Sequence, residues 1–174
     1  MHLGISRSFQ VISIFRNLSV FENIRVAAQA RLRRESNRFL KSYRNLEVPI
    51  RKTEEILHEI GLAEQSSKKA HELSYGDQRA LEIGVCLASD PIFLLLDEPT
   101  CGMSADETPK MMGMIKGLCK KSTVLLIEHD IEVVMSVSDK ITVLSEGSKI
   151  AEGNPDEIKG NEEVRRIYLG NGTS

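Results

Sequence analysis

Ile92-Phe93-Leu94-Leu95-Leu96-Asp97-Glu98-Pro99-Thr100 decides the fold. Its five apolar residues run without polar alternation, the pattern of a strand buried in a parallel sheet. Two adjacent carboxylates follow, then a proline. Upstream, Asp77–Ala88 has a helical pattern with Leu81, Val85 and Ala88 on one stripe, broken at Asp90-Pro91. Downstream, Ser104-x-x-Glu107 reads as a capping box that opens a helix to about Lys121, with Pro109 in its early turns. Thr123–Ile127 is a second apolar run and ends in Glu128-His129-Asp130. Strands alternating with helices predict an α/β fold, a parallel sheet covered by helices. Ligands of such sheets bind at the carboxyl ends of the strands. Asp97, Glu98 and His129 fall at two such ends.

The outer segments are simpler. Residues 5–15 read as extended, then loop. Ser19-x-x-Glu22 is another capping box, and its helix runs to about Arg34. Residues 35–48 are polar. Pro49 suits a first helical position, Ile56, Leu57 and Ile60 form one face, and Gly61 stops that helix. Residues 17–62 therefore read as a helical insert. Ile131–Val137 is a short helix, and Ile141–Leu144 and Lys149–Ala151 flank Glu146-Gly147 as a hairpin. Asn161–Leu169 reads as a short amphipathic helix.

Composition excludes several classes. The chain has 174 residues, 41% hydrophobic and 28% charged, enough to bury a core. Its apolar runs fall far short of the roughly 20 residues that span a bilayer. The start has no basic n-region and apolar stretch, so no signal peptide is expected. Cys86, Cys101 and Cys119 are odd in number and lack C-x-x-C spacing, which argues against disulfides or zinc and for a reducing cytosol. Residues 1–52 hold 11 Lys/Arg against 3 Asp/Glu, so the basic charge is concentrated there. Only Phe39 and Tyr43 interleave with Arg25, Arg31, Arg33, Arg34, Arg38, Lys41 and Arg44. A solvated or partner-facing helix surface fits this better than a base-stacking one, and no nucleic-acid partner is expected. None of the 12 glycines precedes a lysine, so no G-x-x-x-x-G-K-[ST] phosphate loop exists in residues 1–174.

Three places can carry chemistry. Asp97 and Glu98 repel one another and need a compensating charge. A Mg²⁺ that keeps its waters suits one or two carboxylates, leaving the second acid to orient or deprotonate a water. The structural alternative is a cap beside a surface acid. His129 lies between Glu128 and Asp130, which can orient an imidazole; a purely structural histidine is the alternative. Leu73-Ser74-Tyr75-Gly76-Asp77-Gln78 opens a helix, where Ser74 and the following amides suit an anion or form a plain N-cap.

Each signal is weak alone; their order is specific. Gln10, a helical insert, Leu73–Gln78, Leu94-Leu95-Leu96-Asp97-Glu98-Pro99-Thr100 and Leu125-Leu126-Ile127-Glu128-His129-Asp130 follow one another. This arrangement resembles the ATP-binding subunit of ABC transporters over essentially the whole chain. Arg7-Ser8-Phe9-Gln10 is similar to the Q-loop, Leu73–Gln78 to the signature motif, Leu94–Asp97 to Walker B, Cys101-Gly102-Met103-Ser104 to the D-loop, and His129 to the switch histidine. Phe15–Asn23, the Tyr75-Gly76-Asp77 signature and Ile150-Ala151-Glu152-Gly153 with Tyr168-Leu169-Gly170 resemble branched-chain amino-acid importers. Lipopolysaccharide-export and urea-type ATPases are similar alternatives. Asp77 and Ser104 depart from the commoner glutamine and aspartate or asparagine.

The resemblance implies a P-loop NTPase-like sheet with helices on both faces and a helical insert, without the N-terminal β-subdomain and P-loop strand. It divides residues 1–174 into a Q-loop region (5–16), a helical subdomain (17–72) and the remainder (73–174). It implies ATP and Mg²⁺ as cofactors. Glu98 and His129 would be catalytic, Ser74, Tyr75, Gly76, Asp77 and Gln78 would meet nucleotide, and Gln10 and Asp97 would meet both nucleotide and metal. The partners implied are a second ATPase subunit and transmembrane permeases docked on the Q-loop region and insert, at the inner face of the membrane. Without the lysine loop, residues 1–174 alone are expected to hydrolyse no ATP. A non-enzymatic module lending Ser74 in trans is the alternative. A soluble ABC protein of DNA repair or translation would need coiled-coil insertions or tandem cassettes, which the sequence lacks.

Overall fold

The computed structural model describes residues 4–8, 12–35 and 47–169, with the side chains of 32–35 and 168–169 left aside. Two compact units are present, Met1–Ile127 and Glu128–Ser174.

The first unit is built on a parallel sheet ordered β1-β2-β3, comprising Ile5–Arg7, Phe93–Asp97 and Thr123–Ile127. Register pairs Ser6 with Leu94, and Leu94 and Leu96 with Val124 and Leu126. Neighbours in a parallel register share a face. Ser6, Leu94 and Leu96 are buried on one side. The other side holds Arg7, Leu95, Asp97, Leu125 and Ile127, and there Leu125 and Ile127 are about half exposed. Helix α3 (Tyr75–Leu87) packs against β1, and α4 (Glu107–Leu118) packs against α3 and buries Met111, Met112, Ile115 and Leu118. Helix α4 starts three residues after Ser104, so Pro109 falls in its first turn, where an intrahelical amide partner is not needed. The helix also ends at Leu118, earlier than its sequence suggests.

Two helices precede α3. Helix α1 (Val20–Glu35) and α2 (Glu47–Glu59) pack on one another and on α3. Ser19 Oγ accepts from the Glu22 amide at 3.1 Å, one half of the expected capping box. The Glu22 carboxylate turns instead to Arg25, at 2.7 and 2.8 Å. Buried Asn23 completes the turn: its side chain accepts from the Phe15 amide and donates to the Phe15 and Ser19 carbonyls. Helix α2 ends as expected at Gly61 (φ +73°), with the Leu62 amide donating to Leu57 and the Gly61 amide to His58. This is the Schellman arrangement, and Leu62 and Leu57 are both buried beside it. Gly84 lets α3 approach these helices: a Cβ there would stand 2.7 Å from Ile60 Cδ1 and 3.3 Å from Ile24 Cδ1.

The second unit contains α5 (Ile131–Val137), an antiparallel pair β4 (Ile141–Ser145) and β5 (Ser148–Gly153), then α6 (Pro155–Gly160) and α7 (Glu162–Val164), followed by a π turn at Arg165–Leu169. The hairpin turn Glu146-Gly147 has φ +49° and +78°, the signs a type I′ turn requires. Ile141, Val143, Ile158 and Val164 form its core. The helix and hairpin agree with their sequence patterns. Helix α6 is additional; Asn154 caps it, with reciprocal bonds to Glu157 at 3.0 and 2.8 Å. The tail is helical from Glu162 to Leu169 as expected, capped by the Asn161 side chain at 3.1 Å, with π geometry in its last five residues. Among the described residues, no helix is long and apolar enough to cross a membrane.

Candidate functional site

Parallel register carries the ends of β1, β2 and β3 to one edge. Asp97 closes β2 there. Its Oδ2 accepts from Arg7 Nη2 at 3.0 Å, across 90 residues of sequence. The compensating charge that the carboxylate pair needs is thus supplied in part by β1. Glu98 follows in a left-handed conformation, φ +45°, which a side chain with a Cβ rarely adopts. Its amide donates to Ile127 O at 2.9 Å and its carbonyl accepts from the Cys101 amide at 3.2 Å. The strain is held by these ties between the ends of β2 and β3 and the turn that follows. Non-glycine residues in this region cluster at functional sites.

Ser74 caps α3, its hydroxyl accepting from the Asp77 amide at 3.2 Å. Helix α3 has 13 residues, so its start carries the positive end of the dipole, while its Gly76 and Asp77 amides are taken by Glu107 and the Ser74 hydroxyl. Tyr75 is exposed and Gly76 is buried. The side chains of Asp77 and Gln78 turn inward: Asp77 Oδ2 accepts from Gln65 Nε2 and Gln78 Nε2 donates to Leu73 O, both at 3.0 Å. These two residues organise the loop through side chains, leaving Ser74 to face a ligand.

Glu107 was missed as a site residue by sequence reasoning, which saw in it only a cap. Its Oε2 accepts from the Ser104 amide and hydroxyl at 3.0 and 3.1 Å, and its Oε1 accepts from the Gly76 amide at 3.1 Å. Hydrogen bonds from Ser104, Ser74 and Gly76 lower its carboxyl from the usual 4.5 to about 2. Capping-box spacing gave the Ser104 bond; nothing in the sequence gives the bond to Gly76.

His129 is the second residue of the second unit and is exposed. Asp130 Oδ1 accepts from the Glu132 and Val133 amides at 2.9 and 3.3 Å and so caps α5. Gln10 and Phe9 lie outside the described residues, as do Arg38, Lys41 and Arg44.

Among the described residues, no group of three or more His, Cys, Asp or Glu could cage a metal ion. One strand-end carboxylate, with one oxygen already on Arg7, fits a cation held mainly by waters and substrate phosphates, as Mg²⁺ is in phosphoryl-transfer sites.

Comparison with known proteins identifies the family and the fold. The family described as "ABC transporter" matches residues 1–101, and the family described as "Branched-chain amino acid ATP-binding cassette transporter" matches residues 148–173. The high-affinity branched-chain amino acid transport ATP-binding protein LivG of Salmonella typhimurium is 38% identical over 97% of this chain and 68% of its own length. BraF of Pseudomonas aeruginosa, of the same description, is 43% identical over 66% of this chain and 46% of its own. The ADP conformation of MJ1267, an ATP-binding cassette of an ABC transporter, superposes with a TM-score of 0.74 at 28% identity, covering 98% of this chain and 70% of that one. With motif order, sheet topology and sequence identity in agreement, the chain belongs to the ATP-binding subunits of ABC transporters, a family of ATPases.

Proposed function

We propose that this chain serves an ABC importer for branched-chain amino acids, coupling ATP hydrolysis to uptake. The observation that carries the reading is the strained Glu98 directly after the Arg7-paired Asp97 at the end of β2. In the reaction a water attacks the γ-phosphorus of ATP, the bond to the β-bridging oxygen breaks, and ADP and phosphate leave. Glu98 takes the proton of that water, and its backbone ties hold the carboxylate in place before substrate arrives. Asp97, with Gln10, would hold Mg²⁺ beside the phosphates, where the ion neutralises charge. Ser74 and the positive end of the α3 dipole meet the γ-phosphate bound by a second ATPase subunit. His129 positions the transferring phosphoryl group, and Gln10 reports its state to the permeases. Residues 17–72 form the helical subdomain that docks them, and their basic face meets the membrane partner. Such subunits work as dimers beneath transmembrane permeases, on the inner face of the membrane.

The match at residues 148–173 and the LivG and BraF relatives support the branched-chain substrate class. In the assembled transporter, Glu98→Gln is expected to abolish ATP hydrolysis while ATP still binds. Undiminished hydrolysis by this variant refutes the catalytic assignment.

A further inference from the structure

The start of α3 and the turn before α4 are separate in sequence, yet two contacts bind them together. Glu107 bridges the first contact. One carboxylate oxygen holds Ser104 through both its amide and its hydroxyl, and the other holds the Gly76 amide. The contact is close enough to dictate the residue opposite: a Cβ at Gly76 would stand 2.8 Å from Glu107 Oε1 and 2.9 Å from its carboxyl carbon. The second contact is independent. Gly102 sits at φ +78° in the same turn, and a Cβ there would rest 3.4 Å from the Tyr75 ring. Tyr75 and Gly76, neighbours at the start of α3, therefore each meet the 101–107 segment.

We propose that Glu107 is a positioning residue: its carboxylate fixes Ser74 and Gly76 to the Cys101–Ser104 turn, so that both segments approach nucleotide as one body. The proposal rests on the functional reading above for the identity of the nucleotide. Glu107 does not itself touch the reacting atoms. It uses the hydrogen-bonding capacity of the Gly76 amide and, with Ser104, sets where the Ser74 hydroxyl lies. An aspartate is one methylene too short to span both partners, and a glutamine has one carbonyl oxygen where two acceptors are needed. Misplacement of a phosphate contact by about 1 Å costs on the order of 100-fold in rate.

Amide hydrogen exchange of the chain tests the geometry without reference to ATP. Glu107→Ala is expected to speed exchange at both Gly76 and Ser104 by about tenfold or more, because both amides lose their acceptor. Faster exchange at Ser104 with Gly76 unchanged reduces Glu107 to a local cap and overturns the proposal. Should Glu107→Ala fail to fold, Glu107→Gln replaces it: one of the two amides loses protection and the other keeps it. Protection of both in the glutamine variant overturns the proposal equally. The catalytic half is read in the assembled transporter. Glu107→Gln is expected to lower kcat by about 10-fold to 100-fold while KM for ATP changes by less than about twofold. A lowered melting temperature with kcat and KM unchanged means a purely structural role and overturns it. Activity retained by Glu98→Gln in the same assay defeats the functional reading instead, and leaves the exchange result standing.

Discussion

Arg79 and Glu82 form an ion pair inside the first unit, and replacing one of them is the sharpest test of how α3 is held. Arg79 Nη1 lies 3.0 Å from Glu82 Oε2, one turn away, and both side chains are about 96–97% buried. Glu82 Oε1 also accepts from the Ser13 amide at 3.1 Å, which joins α3 to the segment before α1. The Arg79 guanidinium stands 5.6 Å from the Tyr75 ring. Unit charges about 3 Å apart attract by roughly 5 kcal/mol at an effective dielectric of about 20. Removing one partner leaves a desolvated charge, which costs about 3–5 kcal/mol. Glu82→Leu also strands the Ser13 amide, adding about 1–3 kcal/mol. Arg79→Met with Glu82→Leu removes both charges, and such replacements are about neutral or stabilising by up to roughly 4 kcal/mol. The expected order in urea is therefore the Glu82→Leu single variant far below wild type and the double variant well above the single, short of wild type only by the stranded Ser13 amide. With an m-value of about 2 kcal/mol/M, a loss of about 4 kcal/mol lowers the midpoint by about 2 M. Single variants that each cost under about 1 kcal/mol and add up in the double refute the argument, because they would mean the pair is not energetically coupled.

Two further predictions concern single groups. Burial pushes the Cys86 thiol up, while Cys101 and Cys119 are exposed; at pH 8 a colorimetric thiol reagent should modify those two rapidly and Cys86 slowly, and uniform kinetics refute this. Because the Glu107 carboxyl falls to about 2 on folding, its stabilisation is complete above about pH 4.5 and fades as pH falls through about 2; the difference in melting temperature between wild type and Glu107→Gln should shrink over that window, and a constant difference refutes the ionised bridge.

Local signals were legible in the sequence because their physics is local. Ile131–Val137 and the hairpin around Glu146-Gly147 emerge where periodicity and turn chemistry place them. Gly61 stops α2 through a glycine conformation that its position already implies. Helix α6 was equally local, since Asn154, Pro155 and Glu157 form a cap, a first-turn proline and a reciprocal acid, but its six residues contain too little periodicity to announce a helix. The Glu22 carboxylate shows the limit of motif reading. Ser19-x-x-Glu22 has the spacing of a capping box, yet Arg25 offers a bidentate charged partner one turn away and takes the acid. For the site, the sequence supplies the acids at the end of β2 and the Ser74 cap. It does not supply Arg7 beside Asp97, Gly76 beneath Glu107, or the left-handed Glu98, because each depends on segments that only the fold brings together.

The Arg7–Asp97 pair bears directly on what the site is for. With Arg7 half exposed and Asp97 about a quarter exposed, such a pair contributes at most about 1 kcal/mol to stability. Stability therefore gives little reason for an arginine on β1 to face the end of β2. Charge does: Asp97 and Glu98 are adjacent, and backbone ties hold Glu98 in a strained conformation beside that carboxylate. A guanidinium on one oxygen of Asp97 lowers the local negative potential while the other oxygen keeps its lone pairs. That arrangement suits a carboxylate that takes up only a share of a hydrated cation, beside an acid that must remain basic enough to accept a proton from water. In the proposed function, the division of labour between Asp97 and Glu98 thus begins with a residue on a different strand.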